Sequence, residues 1–179
     1  PVLNWKKINH QWYYFNKDGV MLSNEIFDHY LLTDSGRMAE NAWTYMNGKW
    51  YYSLDNGRIV EKSWKKINGA WYYFNEKGIM LSNTIVDGYL LKSSGAMAEN
   101  TWVLIDGKWY YADQDGKVIK QAWKKINGAW YYFNNAGVML SNQWQGSYYL
   151  KSSGAMAESE WIFDKDYNSW FYLKSSGAY

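Results

Sequence analysis

Cysteine is absent from the 179-residue chain, which excludes disulfide bonds, thiolate metal sites and a cysteine nucleophile. Proline occurs only once. Basic and acidic residues are nearly balanced, 19 against 17, so the chain lacks the strongly basic character of nucleic-acid-binding proteins. The longest apolar runs are about four residues, far below the roughly 20 that a membrane-spanning helix needs. We therefore expect no nucleic-acid partner and no membrane span.

What the chain does contain is a 59-residue repeat rich in aromatic rings, with 13 tryptophans and 18 tyrosines. The segment at 64–75 recurs at 123–134 and, with two substitutions, at 5–16. Repeats of this kind bury their surface against neighbouring repeats instead of around one central core. We therefore predict a single repeat module over 1–179, with periods at 5–63, 64–122 and 123–179.

Each period predicts three β-hairpins, which makes about nine in the chain. Asn68-Gly69 stands between two short aromatic-rich runs, and this dipeptide is the strongest short-range signal for a hairpin turn. A two-residue turn there pairs Lys66 with Trp71 and Trp64 with Tyr73. Because side chains alternate along a strand, both tryptophans lie on one face, whereas the tyrosine that follows Trp71 lies on the other.

Two hairpins of each period are full, and the one between them is clipped. A clipped hairpin keeps the tyrosine but lacks the tryptophan pair. In place of that pair the three clipped hairpins have, in order, Ile26 and His29, Ile85 and Gly88, and Trp144 and Ser147.

We expect an aromatic cage wherever the tryptophan pair of one hairpin meets the tyrosine of the next hairpin. The junctions after the first two clipped hairpins should be empty or blocked. The last hairpin departs from the pattern, with Phe171 for the tyrosine and Tyr179 for a methionine, as terminal repeats often do. The five predicted cages are cage 1 (Trp5, Trp12, Tyr30), cage 2 (Trp43, Trp50, Tyr72), cage 3 (Trp64, Trp71, Tyr89), cage 4 (Trp102, Trp109, Tyr131) and cage 5 (Trp123, Trp130, Tyr148).

Aromatic cages have one well-attested use, the recognition of quaternary ammonium groups such as choline or methyl-lysine. Each ring contributes about 0.5–2 kcal/mol, so a three-ring site is weak and is useful mainly when many sites act together. An array of weak cages therefore indicates a polymer that carries the same cation many times. The competing interpretation is that the rings only form the core, because aromatic side chains bury about 150–250 Å² each.

The repeated pattern resembles the choline-binding repeats of pneumococcal surface proteins, autolysins and phage lysins. The match is Trp-Lys-Lys-Ile-Asn-Gly-Ala-Trp-Tyr-Tyr-Phe-Asn-X-X-Gly-X-Met at 64–80 and 123–139, and the similarity covers essentially the whole chain. The resemblance implies an all-β fold, a left-handed β-solenoid of stacked hairpins with about three hairpins per turn. It also implies choline between successive hairpins, often beside a methionine, which makes Met21, Met80 and Met139 candidate fourth walls of cages 1, 3 and 5.

The same resemblance implies a non-catalytic module, without cofactor or metal, that anchors a secreted protein to the bacterial cell surface. The ligand would be choline or phosphocholine on teichoic and lipoteichoic acids of the cell wall. Because the chain starts at Pro1 with neither an initiator methionine nor a signal peptide, we expect it to be a module of a longer protein. Whether the terminal hairpins form a homodimer stays open.

Two other functions compete with this one. A glucan- or other carbohydrate-binding repeat also uses stacked aromatic rings, although no recurring set of polar side chains is placed to bind sugar hydroxyls. An enzyme is the second alternative, yet the carboxylates mostly occupy turns, and His10 and His29 are interpreted as structural substitutions. No catalytic residue is therefore assigned, although the parent protein could be a cell-wall hydrolase.

Overall fold

A computed structural model describes residues 4–179, which form eighteen β-strands paired into nine antiparallel two-stranded hairpins. The contacts divide these residues into two compact units. Unit 1 holds the residues up to Ser82 together with Ser93–Ala96, and unit 2 holds Asn83–Lys92 and Met97–Tyr179. The all-β class and the nine hairpins predicted from the sequence are confirmed.

Unit 1 contains four hairpins, numbered in chain order. They are hairpin 1, β1 (Asn4–Ile8) and β2 (Gln11–Phe15); hairpin 2, β3 (Glu25–Phe27) and β4 (Tyr30–Leu32); hairpin 3, β5 (Ala42–Met46) and β6 (Lys49–Ser53); and hairpin 4, β7 (Ser63–Ile67) and β8 (Ala70–Phe74).

Unit 2 contains the other five hairpins. They are hairpin 5, β9 (Thr84–Val86) and β10 (Tyr89–Leu91); hairpin 6, β11 (Thr101–Ile105) and β12 (Lys108–Ala112); hairpin 7, β13 (Ala122–Ile126) and β14 (Ala129–Phe133); hairpin 8, β15 (Gln143–Gln145) and β16 (Tyr148–Leu150); and hairpin 9, β17 (Glu160–Asp164) and β18 (Ser169–Leu173).

The register of the full hairpins is the one predicted from the sequence. In hairpin 4, Lys66 lies opposite Trp71 and Trp64 lies opposite Tyr73. The turn residues Asn68 and Gly69 have φ of 49° and 86°, as a two-residue type I′ turn requires. Local turn chemistry and side-chain alternation thus determine which rings share a face.

The clipped hairpins keep the two-residue turn but have strands of three residues instead of five. In hairpin 2, Tyr30 pairs with Phe27 directly beside the turn. His29, which stands where the second tryptophan would be, therefore lies in the turn itself, with φ of 73°. The shorter strands leave no cross-strand pair at which a second tryptophan could stand.

Hairpins stack within each unit because the loop after one hairpin bonds to the backbone of the hairpin before it. The Met38 N–H, after hairpin 2, donates to the Trp12 carbonyl of hairpin 1 at 2.7 Å. The Met156 N–H donates in the same way to Trp130 at 2.8 Å in unit 2. An isolated two-stranded hairpin is marginally stable in water, so this stacking is what stabilises each unit. Stacked hairpins are the building principle of the predicted β-solenoid.

The cores of the two units are small clusters located between hairpins. One cluster of unit 1 contains Leu31, Tyr51 and Ile59, and another is centred on the fully buried ring of Phe74. In unit 2 the ring of Phe133 occupies the position of Phe74. Rings of the predicted cages, among them Trp43 and Tyr72 in unit 1 and Trp102 and Tyr131 in unit 2, pack against the Phe74 and Phe133 clusters.

Candidate functional site: aromatic cages between hairpins

Cage 1 is a cavity of about 300 Å³ at the junction of hairpins 1 and 2. The Trp5 and Tyr30 rings meet edge to face, with centroids 5.3 Å apart and an interplanar angle of 73°. The three predicted rings therefore line one cavity. Its lining residues are Trp5, Trp12, Tyr30, Met38 and Asn56.

Cages 2 and 4 repeat almost the same geometry, each around a cavity of about 320 Å³. In cage 2 the centroids of Trp43 and Trp50 are 6.2 Å apart, and those of Trp43 and Tyr72 are 4.9 Å apart. The corresponding distances in cage 4 are also 6.2 and 4.9 Å. The linings are Trp43, Trp50, Tyr72, Met80 and Ser94 in cage 2, and Trp102, Trp109, Tyr131, Met139 and Ser153 in cage 4.

Cage 5 lies at the junction of hairpins 7 and 8 and encloses about 360 Å³. The Trp123 and Tyr148 centroids are 5.4 Å apart at 73°, so its ring geometry matches that of cage 1. The lining residues are Trp123, Trp130, Tyr148, Met156 and Ser176.

Cage 3 stays a prediction. Its tryptophan pair, Trp64 and Trp71, belongs to unit 1, whereas Tyr89 belongs to unit 2. Each of the other four cages takes all of its lining residues from a single unit.

The second tryptophan is exposed to solvent in cages 2, 4 and 5, and Trp12 of cage 1 is half-buried. The rings of Trp50, Trp109 and Trp130 are 42, 41 and 37% exposed. The first tryptophan of each pair is half-buried because it packs against tyrosines of its own hairpin and of the next. An open cavity with exposed rings is poorly explained by core packing and well explained by a ligand.

The methionine wall has a different origin from the one suggested by the resemblance. Met80 lines cage 2, and Met139 lines cage 4 instead of cage 5. Met38 lines cage 1, and Met21, which the sequence grouped with that cage, lies against Gly36. The reason is that the methionine follows the hairpin that supplies the tyrosine and bonds back to the preceding hairpin. Cages 1 and 5 therefore take their methionine from the loop after a clipped hairpin.

A polar residue from a third hairpin completes each described cage, and sequence reasoning missed it. Asn56, which lines cage 1, belongs to the turn after hairpin 3. Ser94, Ser153 and Ser176 hold the equivalent place in cages 2, 4 and 5. All four residues directly precede the glycine of a turn, which is a signal that the sequence does contain. Three consecutive hairpins, not two, build one cage.

The glycine of that turn supports the methionine wall. Gly57 has φ of +87°, and a Cβ atom added to it would lie 2.6 Å from the Met38 sulfur. A non-glycine residue is disfavoured at such φ, and here it would also push Met38 toward the cage. Gly154 holds Met139 in the same way in unit 2.

At the junctions that follow hairpins 2 and 5, which the sequence predicted to be empty or blocked, the residues in place of the tryptophan pair pack into the core. After hairpin 2, Ile26 packs against a buried cluster that includes Tyr51 and Ile59. Tyr51 is only 7% exposed, so the tyrosine that lines a cage elsewhere is part of the core here. At the rim, the Nδ1 of His29 lies 2.6 Å from the Glu61 carboxylate. Ile85 and Tyr110 pack in the same way against the core after hairpin 5.

The junction of hairpins 8 and 9 is filled by three mutually packed rings. The centroids of Trp144 and Phe171 are 5.1 Å apart, and those of Trp144 and Tyr179 are 5.4 Å apart. The Trp144 indole N–H donates to the buried Asp164 carboxylate. That bond holds the pKa of Asp164 below its ordinary value, with burial opposing it and the backbone N–H groups of Tyr167 and Asp166 assisting it.

Neither a metal-binding cluster nor a membrane-spanning helix is found among residues 4–179. No group of three or more His, Asp and Glu side chains in this part of the chain could hold a metal ion. The described residues also include no helix that is long and apolar enough to cross a membrane.

The comparisons with known proteins agree with the repeat pattern. A family model described as "Choline-binding repeat" matches residues 2–43, 60–102 and 102–144, and a second model with that description matches 138–179. A model of a cell wall binding repeat matches 41–59.

Solved structures with this arrangement come from Streptococcus pneumoniae. The chain is similar to the choline-binding domain of CbpL, with 34% identity over 100% of this chain and 97% of that one, and a TM-score of 0.71. It is also similar to the modular autolysin LytC, with 34% identity over 98% of this chain but 41% of LytC, and a TM-score of 0.77.

Among curated proteins, one from Streptococcus pneumoniae named "Putative endo-beta-N-acetylglucosaminidase" is 47% identical over 36 residues. The match covers 20% of this chain and 6% of that protein. The chain thus matches a small part of its curated relatives and less than half of LytC.

Proposed function

This chain belongs to the choline-binding repeat family, and from that premise we propose that its cages bind choline and phosphocholine of the bacterial cell wall. The observation that carries the proposal is the open cavity lined by two tryptophans and one tyrosine, repeated at four described junctions. Cage 3, with Trp64, Trp71 and Tyr89, is proposed as a fifth site of the same kind.

The ring geometry suits a trimethylammonium group. Rings that meet edge to face, as Trp43 does with both Trp50 and Tyr72, direct their electron-rich faces toward one shared space. A quaternary cation is attracted to those faces, and its methyl groups lose little by leaving water. The methionine wall adds a polarisable apolar surface.

A single cage should bind weakly. Three rings at about 0.5–2 kcal/mol each support a dissociation constant in the millimolar range. Five cages on one chain that meet a polymer bearing many choline groups gain avidity of about 10²–10⁴ through high local concentration. The teichoic and lipoteichoic acids of the wall are such polymers, and secretion to the cell surface is part of the proposal.

The module itself is proposed to be an anchor without catalysis. The named endo-beta-N-acetylglucosaminidase and the autolysin LytC suggest that a parent protein could carry a wall-degrading domain elsewhere. A wall-degrading activity is therefore proposed for the whole protein and not for this module. A homodimer formed through the terminal hairpins is a separate proposal for the whole protein.

Titration of tryptophan fluorescence with choline tests the function, with maltose and isomaltose as sugar controls. We expect a saturable millimolar response to choline alone. Trp50→Ala should remove the cage 2 fraction of that response. The matched control is Trp170→Ala, which removes an exposed ring (64% exposed) that belongs to none of the five cages.

Each alternative outcome has a definite meaning. A response to the sugars alone would replace the proposal with a glucan-binding module. No fluorescence change with either choline or the sugars would mean that the rings serve only in packing.

A further inference from the structure

Cage 1 carries a positive charge at its rim. The guanidinium carbon of Arg58 lies 5.9 Å from the centroid of the Tyr30 ring, and the Arg58 side chain is exposed. The two residues face each other because they pair in an isolated antiparallel bridge. The cation is therefore placed over a cage ring by the backbone.

The backbone of Arg58 is held on both sides. Its N–H donates to Oδ1 of Asn56, itself a lining residue of cage 1, at 3.0 Å. Its carbonyl accepts from the Leu54 N–H at 2.8 Å. The arginine side chain thus begins from a backbone position fixed between two lining residues of the cavity, Asn56 and Tyr30.

Cage 5 is a natural counterpart that lacks this charge. Ala178 pairs with Tyr148 in the same kind of bridge as Arg58 with Tyr30. Each cage also has a lysine opposite its second tryptophan, Lys7 in cage 1 and Lys125 in cage 5. The three rings and the register of the lysine are the same in the two cages, and the Nζ of Lys7 lies 5.8 Å from the Trp12 ring centroid. The bridge residue differs, and the polar lining residue is Asn56 in cage 1 but Ser176 in cage 5.

A guanidinium beside a quaternary-ammonium site has opposite effects on two related ligands. Choline carries only a positive charge, which Arg58 repels. Phosphocholine adds a phosphate two methylene groups from the ammonium, and arginine matches phosphate oxygens with paired N–H donors. Resting on the proposed function, we infer that Arg58 forms an anion subsite at the rim of cage 1, which makes this cage prefer phosphocholine to choline.

The expected preference is modest because Arg58 is exposed. Exposed ion pairs contribute up to about 1 kcal/mol, so the ratio of choline to phosphocholine dissociation constants should rise about two- to fivefold in cage 1. The preference should decline with added salt, which screens exposed charges.

The indole N–H signals in two-dimensional ¹⁵N NMR allow each cage to be titrated separately. Trp12→Phe and Trp130→Phe identify the signals of cages 1 and 5. Titration with choline and with phosphocholine in the wild-type chain should give the larger preference for phosphocholine at Trp12.

Three variants test whether Arg58 causes the difference in phosphocholine preference between cages 1 and 5. Arg58→Ala should bring the ratio at Trp12 to that at Trp130, with choline binding unchanged or tighter. Ala178→Arg should transfer the preference to cage 5. Arg37→Ala is the control, because Arg37 is exposed and follows Gly36 as Arg58 follows Gly57, whereas the residue bridged to Tyr30 is Arg58.

The outcomes separate this inference from the function on which it rests. Equal ratios at Trp12 and Trp130 in the wild-type chain, with both ligands bound, would overturn the anion subsite and leave choline binding intact. A ratio at Trp12 that survives Arg58→Ala would also overturn it. If neither ligand shifts any indole signal, the proposed function fails, and the inference fails with it.

Discussion

The two junctions on either side of hairpin 2 have opposite characters. On one side, cage 1 is an open cavity of about 300 Å³ lined by two tryptophans and a tyrosine. On the other side, Ile26 packs on a closed core in which the equivalent tyrosine, Tyr51, is 7% exposed. The difference comes from strands of five and three residues. Open junctions are thus suited to binding and closed junctions to stability, and the chain combines both in each period.

The largest effect should come from weakening the closed junction. Leu31→Ala removes a side chain with no exposure from its core, which should lower the free energy of unfolding by about 2–5 kcal/mol. Trp50→Ala, at the open cage 2, should cost about 1 kcal/mol or less although it removes more atoms. Denaturant unfolding monitored by circular dichroism measures both. An equal loss in the two variants would contradict the division of roles.

The next effect tests how the methionine wall keeps a cage open. Gly57→Ala should lower stability by about 1–2 kcal/mol through its positive φ and should weaken choline binding in cage 1 by displacing Met38. Gly48→Ala is the control, because its φ is +76° but nothing lies within 4 Å of the added Cβ. It should show the stability loss with normal choline binding, measured by denaturation and by the NMR titration.

A variant with a smaller expected effect tests whether the hairpin turn, instead of strand length, determines whether a junction is an open cage or a closed core. His10 occupies a turn position with φ of 67°, where the full hairpins 3, 4, 6 and 7 have glycine. His10→Gly should therefore raise the free energy of unfolding by up to about 1 kcal/mol. Choline binding at Trp12 should not change. A clear change in affinity there would show that the turn residue helps to shape cage 1.

The smallest effect concerns the junction of hairpins 8 and 9. The pKa of Asp164 is lowered in the folded chain, chiefly by the Trp144 N–H, so its ionised form contributes stability at neutral pH. That contribution should be lost as the pH falls through the ordinary and then the lowered pKa of the carboxyl. The Trp144 indole N–H signal should move over this acidic range, and Asp164→Asn should abolish the movement. A signal that does not respond to pH in the wild-type chain would count against the bond.

Much of the arrangement of the cage-forming rings could be predicted from local sequence. The Asn68-Gly69 turn and the alternation of side chains were sufficient to predict the pairing of Lys66 with Trp71. The missing tryptophan pair of hairpins 2 and 5 indicated junctions that are empty or blocked, and the residues in its place pack into the core. The bond between Trp144 and Asp164 could not be predicted from local sequence, because it joins residues 20 positions apart.

The hairpins, their registers and the junctions at which two tryptophans and a tyrosine can meet follow from local sequence, since these depend on turn chemistry and a two-residue period. That Met38 and Asn56 complete cage 1, and that Arg58 lies over Tyr30, follows only from the way the hairpins pack. Those positions depend on loops that bond back to the hairpin before their own. No local periodicity encodes such bonds, because they form only when one hairpin packs on another.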